Sequence, residues 1–175
     1  MQLNEAISLI QHDSFHPQGK QSWADLGCGS GLFTKALANI LQPKSTIYAI
    51  DTNLPALKKL SSFNNVDIIT QQSDFIADDL NLSELHGILM ANSLHYVKNK
   101  KELLYKLLGY LQEDHSFLII EYDTDKPVST WVPYPIRFES LKNMFLEMRY
   151  GSITKMQERP SVYRSGNMYS ALIRK

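Results

Sequence analysis

The residues best placed to do chemistry stand in DLGCGSG, residues 25–31, where the acid Asp25 leads Gly27, Gly29 and Gly31, with Cys28 and Ser30 between the glycines. Glycine at alternate positions permits a left-handed backbone and removes the Cβ atoms that would hold a ligand off the main chain. The acid selects the charge of what approaches, because a carboxylate there repels a pyrophosphate and attracts an ammonium group. Spacing points the same way. A dinucleotide turn, G-x-G-x-x-G, needs its third glycine one residue beyond Gly31, where this chain has Leu32. The expected ligand is a zwitterion or a cation, and a nicotinamide oxidoreductase is disfavoured.

Such a turn must be held between a strand and a helix, and the flanking pattern supplies both. SWADL precedes it as a short apolar run, and LFTKALANIL follows with Leu32, Phe33, Ala36, Leu37 and Ile40 on one helical face, stopped by Pro43. Further apolar runs are STIYAI, VDIIT, GILMA and SFLIIEY. Between them PALKKLSSF and KKELLYKLLGYLQ read as helices, the second burying Leu103, Leu104, Leu107, Leu108 and Leu111. Strand and helix alternate with crossovers too long for hairpins. This predicts an α/β fold, doubly wound, with a mostly parallel sheet and helices on both faces. An N-terminal helix through Leu3, Ile7 and Ile10 covers it, ending near His16 and Pro17. The last fifty residues change character: KPVSTWVPYP is a Pro-rich aromatic loop, RFESLKNMFLEMR a helix, and GSITKMQ and MYSALIRK a C-terminal antiparallel hairpin turning near Gly166 and Asn167. In open α/β sheets ligands bind beyond the carboxyl ends of the strands where the strand order reverses, which places the glycine turn at the expected site.

In that setting the chain resembles the class I, Rossmann-like S-adenosylmethionine-dependent methyltransferases, whose first motif, D/E-x-G-x-G-x-G, stands here as DLGCGSG. The resemblance continues in order over residues 22–125. IYAID ends in Asp51, twenty residues after Gly31, where the family's acid binds both ribose hydroxyls. In QQSDF, Asp74 and Phe75 match the position that meets the adenine amino group and ring edge. GILMANSLHYV is similar to the fourth motif, with Asn92 where the methionine part of the cofactor passes. The form is most similar to the small-molecule branch that includes quinone-biosynthesis enzymes. The resemblance implies S-adenosyl-L-methionine as cofactor, held by Asp25, Gly27, Gly29, Gly31, Asp51, Asp74, Phe75 and Asn92. Asp51 and Asp74 also have a local reading, as caps of the segments that follow them.

Methyl transfer from a sulfonium asks mainly for in-line positioning, which can supply roughly 7–11 kcal/mol. A general base is needed only for an acceptor that must first lose a proton, and His95 in NSLHYV is the candidate for it. Asn92 opens no N/D-P-P-Y motif, so methylation of adenine, cytosine or glutamine nitrogens is disfavoured. On the acceptor side, Trp131, Tyr134 and Arg137 of the Pro-rich loop form one expected wall of the substrate site. Tyr163 and Arg164 form the other, provided the strand before them runs with the earlier strands. The expected function is methyl transfer to a small molecule, possible acceptors being anionic or aromatic. The alternative is a non-catalytic cofactor-binding module or a partner-dependent subunit.

Composition bounds the rest. At 175 residues the expectation is a single domain. No apolar run reaches the roughly 20 residues of a membrane helix, and the first residues lack a signal-peptide pattern, so a cytoplasmic protein without a membrane partner is expected. The lone Cys28 excludes an internal disulfide and a cysteine-built zinc site. His12 and His16 have no further ligands near them, so no metal is expected. The net charge of zero conceals an asymmetry: residues 1–125 hold nine Lys and Arg against fifteen Asp and Glu, and residues 126–175 nine against three. That imbalance suits either scattered solvated charge or an anionic partner. With no long basic and aromatic stripe, nucleic acid is an unlikely partner.

Overall fold

The computed structural model describes residues 1–160 and 166–175. Seven strands form one sheet in the order β3-β2-β1-β4-β5-β7-β6. They are β1 (Ser22–Leu26), β2 (Thr46–Asp51), β3 (Asp67–Gln72), β4 (Leu85–Ala91), β5 (Leu111–Tyr122), β6 (Ser152–Pro160) and β7 (Asn167–Arg174). The first five run parallel, and β7 pairs antiparallel with both β5 and β6. The order reverses between β1 and β4. Strand β6 therefore points the same way as β1–β5 and brings Pro160 to the carboxyl edge of the sheet.

Helices α1 (Leu3–Ile10) and α2 (Leu32–Ala38) cover one face of the sheet, and α4 (Lys100–Leu107) and α5 (Phe138–Glu147) the other. On the first face Leu9, Ile10, Phe33 and Leu37 meet Trp23, Ile47, Leu118 and Ile120. On the second Leu104, Leu107, Leu141 and Phe145 meet Leu26, Ile88, Phe117 and Ile119. Residues alternating along β1 and β5 thus enter opposite layers, as a strand buried on both sides requires. A short α3 (Leu54–Leu57) sits over Ala49.

Local differences from the sequence reading have physical causes. Helix α1 stops at Ile10, well before Pro17, where His12 and Ser14 close a turn: His12 Nδ1 accepts from the Ser14 N–H at 3.0 Å and lies 2.8 Å from the Ser14 hydroxyl. The helix expected through Ser61 and Ser62 is only the four residues of α3. Helix α4 ends at Leu107, and a 3-10 turn over Leu108–Tyr110 leads directly into β5, because Leu111 pairs with Leu85 across the sheet. Leu111 is consequently a strand residue, and Leu108 is only half-buried.

The charge asymmetry is met in part within the fold. Three cations of the last fifty residues pair with acids of the first part: Arg159 with Glu5 at 2.9 Å, Lys155 with Asp123 at 3.0 Å and Arg137 with Asp125 at 3.0 Å. Among the described residues, no helix is long and apolar enough to cross a membrane.

Candidate active site

The glycine turn leaves β1 at the switch point and is fastened to the end of β2, where the N–H groups of Gly27 and Cys28 both donate to the Ile50 carbonyl at 2.8 and 3.1 Å. All three glycines of the turn are left-handed, with φ of 76°, 53° and 78°. Two of them serve different needs. A Cβ on Gly27 would stand 2.6 Å from Ser93 Cβ and 3.4 Å from Phe75 Cε1, so this glycine lets β1 and β4 close on each other. A Cβ on Gly29 would meet nothing within 4 Å. Protein packing does not crowd the main chain there; its left-handed φ is what favours glycine, and the backbone is left open to close approach.

Asp25 is fully buried at the end of β1. Thr34 of α2 donates its hydroxyl to Oδ2 at 2.6 Å, and Oδ1 is buried with no partner. Burial pushes the carboxyl up to about 7; the Thr34 bond opposes this and the charge of Asp51 adds to it. Asp51 ends β2 and braces the turn, because Oδ2 accepts from the Gly29 N–H at 2.8 Å while Oδ1 accepts from the Asn53 N–H at 2.8 Å. Each of its oxygens keeps a second lone pair for a ligand hydroxyl. The cap of α3 is Asn53, whose side chain accepts from Ala56 N–H at 3.2 Å. Asp74 does cap its own turn, accepting from Ile76 N–H at 2.9 Å, and it remains exposed. Phe75 is buried beneath the glycine turn.

Beyond β4, Asn92 has the left-handed φ of 56°, and its N–H donates to the Ile120 carbonyl at 2.9 Å. Its Oδ1 is buried and unpartnered. Ser93 Oγ and His95 Nε2 are in the same condition. These atoms, with Asp25 Oδ1, are all the buried side-chain polar atoms without a partner among the described residues. Asp25 is the penultimate residue of β1, and the other three residues directly follow β4. Buried polar groups in native proteins are nearly always paired, so four such atoms at the ends of two adjacent strands stand out.

His95, on a 3-10 turn over Leu94–Tyr96, is buried and gripped by Glu121 near the end of β5. Glu121 Oε1 accepts from the His95 backbone N–H at 3.0 Å, and Oε2 lies 2.7 Å from Nδ1. Glu121, Thr34 and Ser93 went unnoticed in the sequence. An acid closing the apolar run SFLIIEY was the only signal for Glu121, and a serine or threonine beside a motif gives none.

The residues assigned to the acceptor side are partly brought together. Tyr134 N–H donates to the His95 carbonyl at 2.9 Å, and Lys100 Nζ fixes the same loop by donating to the Tyr134 carbonyl at 2.6 Å. Trp131, 74% exposed, and Tyr134 both present apolar surface to solvent. Arg137 is paired with Asp125. Tyr163 and Arg164 lie outside the described residues.

The sequence pattern of the family described as a methyltransferase domain matches residues 24–114, more than half of the chain. Curated relatives are uncharacterized methyltransferases of Mycobacterium bovis and Mycobacterium tuberculosis, each 24% identical over 113 residues, which is 64% of this chain and 56% of the relative. The match thus spans only about half the length of those relatives. Among solved structures, a SAM-dependent methyltransferase from Archaeoglobus fulgidus superposes with a TM-score of 0.67 at 15% identity, covering 99% of this chain and 91% of that one. The magnesium protoporphyrin IX methyltransferase of Synechocystis, solved with bound SAM, gives 0.67 at 11% identity over 99% and 78%. A plantazolicin methyltransferase in complex with SAH gives 0.66 at 13% over 99% and 83%. With its acid-led glycine turn at the switch point of such a sheet, this chain belongs to the methyltransferase-domain family and has the class I methyltransferase fold.

Proposed function

We propose that the chain transfers a methyl group from S-adenosyl-L-methionine to a small-molecule acceptor. The observation that carries this reading is the set of buried, unpartnered atoms Asp25 Oδ1, Asn92 Oδ1 and Ser93 Oγ at the ends of β1 and β4, together with the open space at Gly29. The donor set fits the cofactor chemically. A carboxylate and an amide oxygen suit an ammonium group, and the open backbone at Gly29 suits close approach. Asp51, with lone pairs to spare, suits the ribose diol. Asp74 and Phe75 suit the adenine, the first by its free acceptor capacity and the second by its ring beneath the turn.

Charge supports the same choice. Asp25 is fully buried, and among the described residues its Oδ1 has no partner. A buried carboxylate without a basic partner favours a cationic ligand over an anionic one. When bound, the cofactor supplies a methyl group on a sulfonium, an electrophile that carries its own leaving group. The chain orients the reactants and excludes water. Asn92, held in its left-handed conformation by the strand ends, turns its side chain inward; the loop over Trp131 and Tyr134 offers aromatic surface to an apolar acceptor.

Titration calorimetry with S-adenosylmethionine, S-adenosylhomocysteine and NADH tests the reading. The first two should bind and NADH should not; binding of NADH alone would overturn it. Salt-sensitive binding to oligonucleotides would overturn the small-molecule acceptor.

A further inference from the structure

We infer that His95 and Glu121 form a proton-accepting dyad for an aromatic hydroxyl acceptor, His95 as the catalytic base and Glu121 as its positioning residue. The inference rests on the methyl-transfer reading above and goes beyond it in naming the acceptor class and the role of Glu121.

Both oxygens of Glu121 are engaged by one residue, the Oε1 atom by the His95 N–H at 3.0 Å and Oε2 by Nδ1 at 2.7 Å. A carboxylate only accepts, so Nδ1 carries a proton, and in the neutral imidazole the lone pair is then on Nε2. Nε2 is also the atom left buried without a partner, on the segment that carries Asn92 and Ser93. A histidine that merely filled the core would have no reason to aim a bare lone pair there. The clamp is two-point. It fixes the turn through the backbone and the ring through Nδ1, so the imidazole can neither flip nor withdraw.

The surroundings select the acceptor. The Tyr96 ring lies 4.4 Å from the His95 ring and Tyr122 lies 6.0 Å away, while Tyr134 is tied to the His95 carbonyl. Tyr96 and Tyr134 are exposed on their outer sides. Aromatic surface around a lone proton acceptor suits a flat ring bearing a hydroxyl. A cationic amine would add charge to a site already completed by a cation. The charged and titratable groups about the dyad are Tyr96 on its own turn, Tyr122 on β5, Lys100 on α4 and Tyr169 on β7. Of these, Lys100 and Tyr169 feel the Glu121 charge.

In the step, the phenolic oxygen forms its bond to the methyl carbon as the carbon–sulfur bond breaks, its electron pair staying on sulfur. The hydroxyl proton passes to His95 Nε2. Positive charge moves from sulfur to the imidazolium beside Glu121, and the net charge of the site is conserved. The proton then leaves to solvent.

The test uses the whole chain as wild type, His95→Gln, Glu121→Gln and Glu121→Ala. Calorimetry with S-adenosylhomocysteine comes first: all four should bind within about threefold of one another. A wild type that does not bind overturns the methyl-transfer reading and the dyad with it. Methylation of a series of para-substituted phenols, from 4-methylphenol to the far more acidic 4-nitrophenol, is then followed by release of S-adenosylhomocysteine. His95→Gln should lower kcat/KM for 4-methylphenol by at least about a hundredfold, the usual share of a general base. Both Glu121 variants should lower it by at least about tenfold. For 4-nitrophenol, already ionised near neutral pH, each defect should shrink toward unity. A defect uniform across the series makes the pair structural and overturns the dyad. Cofactor binding with no phenol methylated by the wild type overturns the acceptor class.

Discussion

Asp25→Asn should make the ligand-free protein more stable in alkali while weakening its hold on the cofactor. The unfolded chain releases the Asp25 proton near the ordinary carboxyl value of about 3.9, but burial delays release in the folded chain to about 7. Between these values the folded state holds the extra proton. The stability this group contributes is therefore complete below about pH 4 and is lost as the pH rises through 7. At about 1.36 kcal/mol per pH unit the whole loss is roughly 4 kcal/mol. Asparagine carries no charge at any pH, yet it leaves an amide group unpaired in the place of Oδ1, at a cost of about 1–3 kcal/mol. The variant should be the less stable protein at pH 4 and the more stable at pH 9. In a domain of this size about 1 kcal/mol moves the midpoint by roughly 2–4 °C, so the difference in Tm should swing by about 10 °C across that range. Calorimetric scans of both proteins at pH 4, 7 and 9 measure it. S-Adenosylhomocysteine at a hundred times its Kd should raise the wild type by about 2.7 kcal/mol and the variant far less at the same concentration. A Tm difference flat with pH would show that the carboxyl bears no uncompensated buried charge, and the argument from the unpartnered Oδ1 would fail.

Other expectations separate the parts of the site. Gly29→Ala should cost only about 1 kcal/mol, the strain of a left-handed alanine, because its Cβ meets open space; chemical denaturation should show this, with cofactor affinity nonetheless falling at least about tenfold. Gly27→Ala adds the 2.6 Å approach to Ser93 Cβ and should be clearly the less stable of the two. Asp51→Asn should weaken adenosine and S-adenosylmethionine alike by about ten- to a hundredfold, the worth of a hydrogen bond to a charged group, whereas Asp25→Asn should leave adenosine binding unchanged in calorimetry. Lys155→Met removes the half-exposed partner of Asp123, whose Oδ1 holds the first N–H of α5; a loss of no more than about 1 kcal/mol that shrinks in high salt is expected.

The glycine turn, the parallel strands and the terminal hairpin were legible because each is written in short-range spacing. Gly27, Gly29 and Gly31 announce a backbone conformation, and the alternating layers follow from runs that are apolar on both faces. The grip of Glu121 on His95 was not legible, because the two residues are 26 positions apart and meet only when β5 takes its place beside β4. Thr34 was hidden for a similar reason. It sits beside Phe33 on a helix whose apolar stripe can be read, but its function depends on an acid at the end of the preceding strand. Helix lengths failed where a sheet pairing competed with a helical period, as at Leu111, whose place opposite Leu85 outweighs its fit to the stripe of α4. Net charge concealed internal pairing: of the cations after residue 125, Arg159, Lys155 and Arg137 lie against Glu5, Asp123 and Asp125.

Apart from those surface pairs, the buried carboxylates Asp25 and Glu121 are the charges whose partners matter most. A carboxylate drawn out of water without a cation is costly, and natural chains keep such groups neutral, pair them or use them. Asp25 follows the first course only in part, since its carboxyl titrates near neutrality and a bound ammonium would complete its deprotonation. Glu121 follows the second, with a histidine as partner in place of a lysine or arginine. A histidine is neutral or charged as chemistry demands, which a lysine or arginine beside Glu121 would not be. On the proposed reaction this difference has a use: a permanent cation at that position would repel the sulfonium, while His95 can take up the acceptor's proton as the sulfonium charge is lost. The same arithmetic explains why the two acids lie on different strands. Asp25 faces the amino-acid end of the cofactor, where charge does not change, and Glu121 stands behind the only group whose charge must.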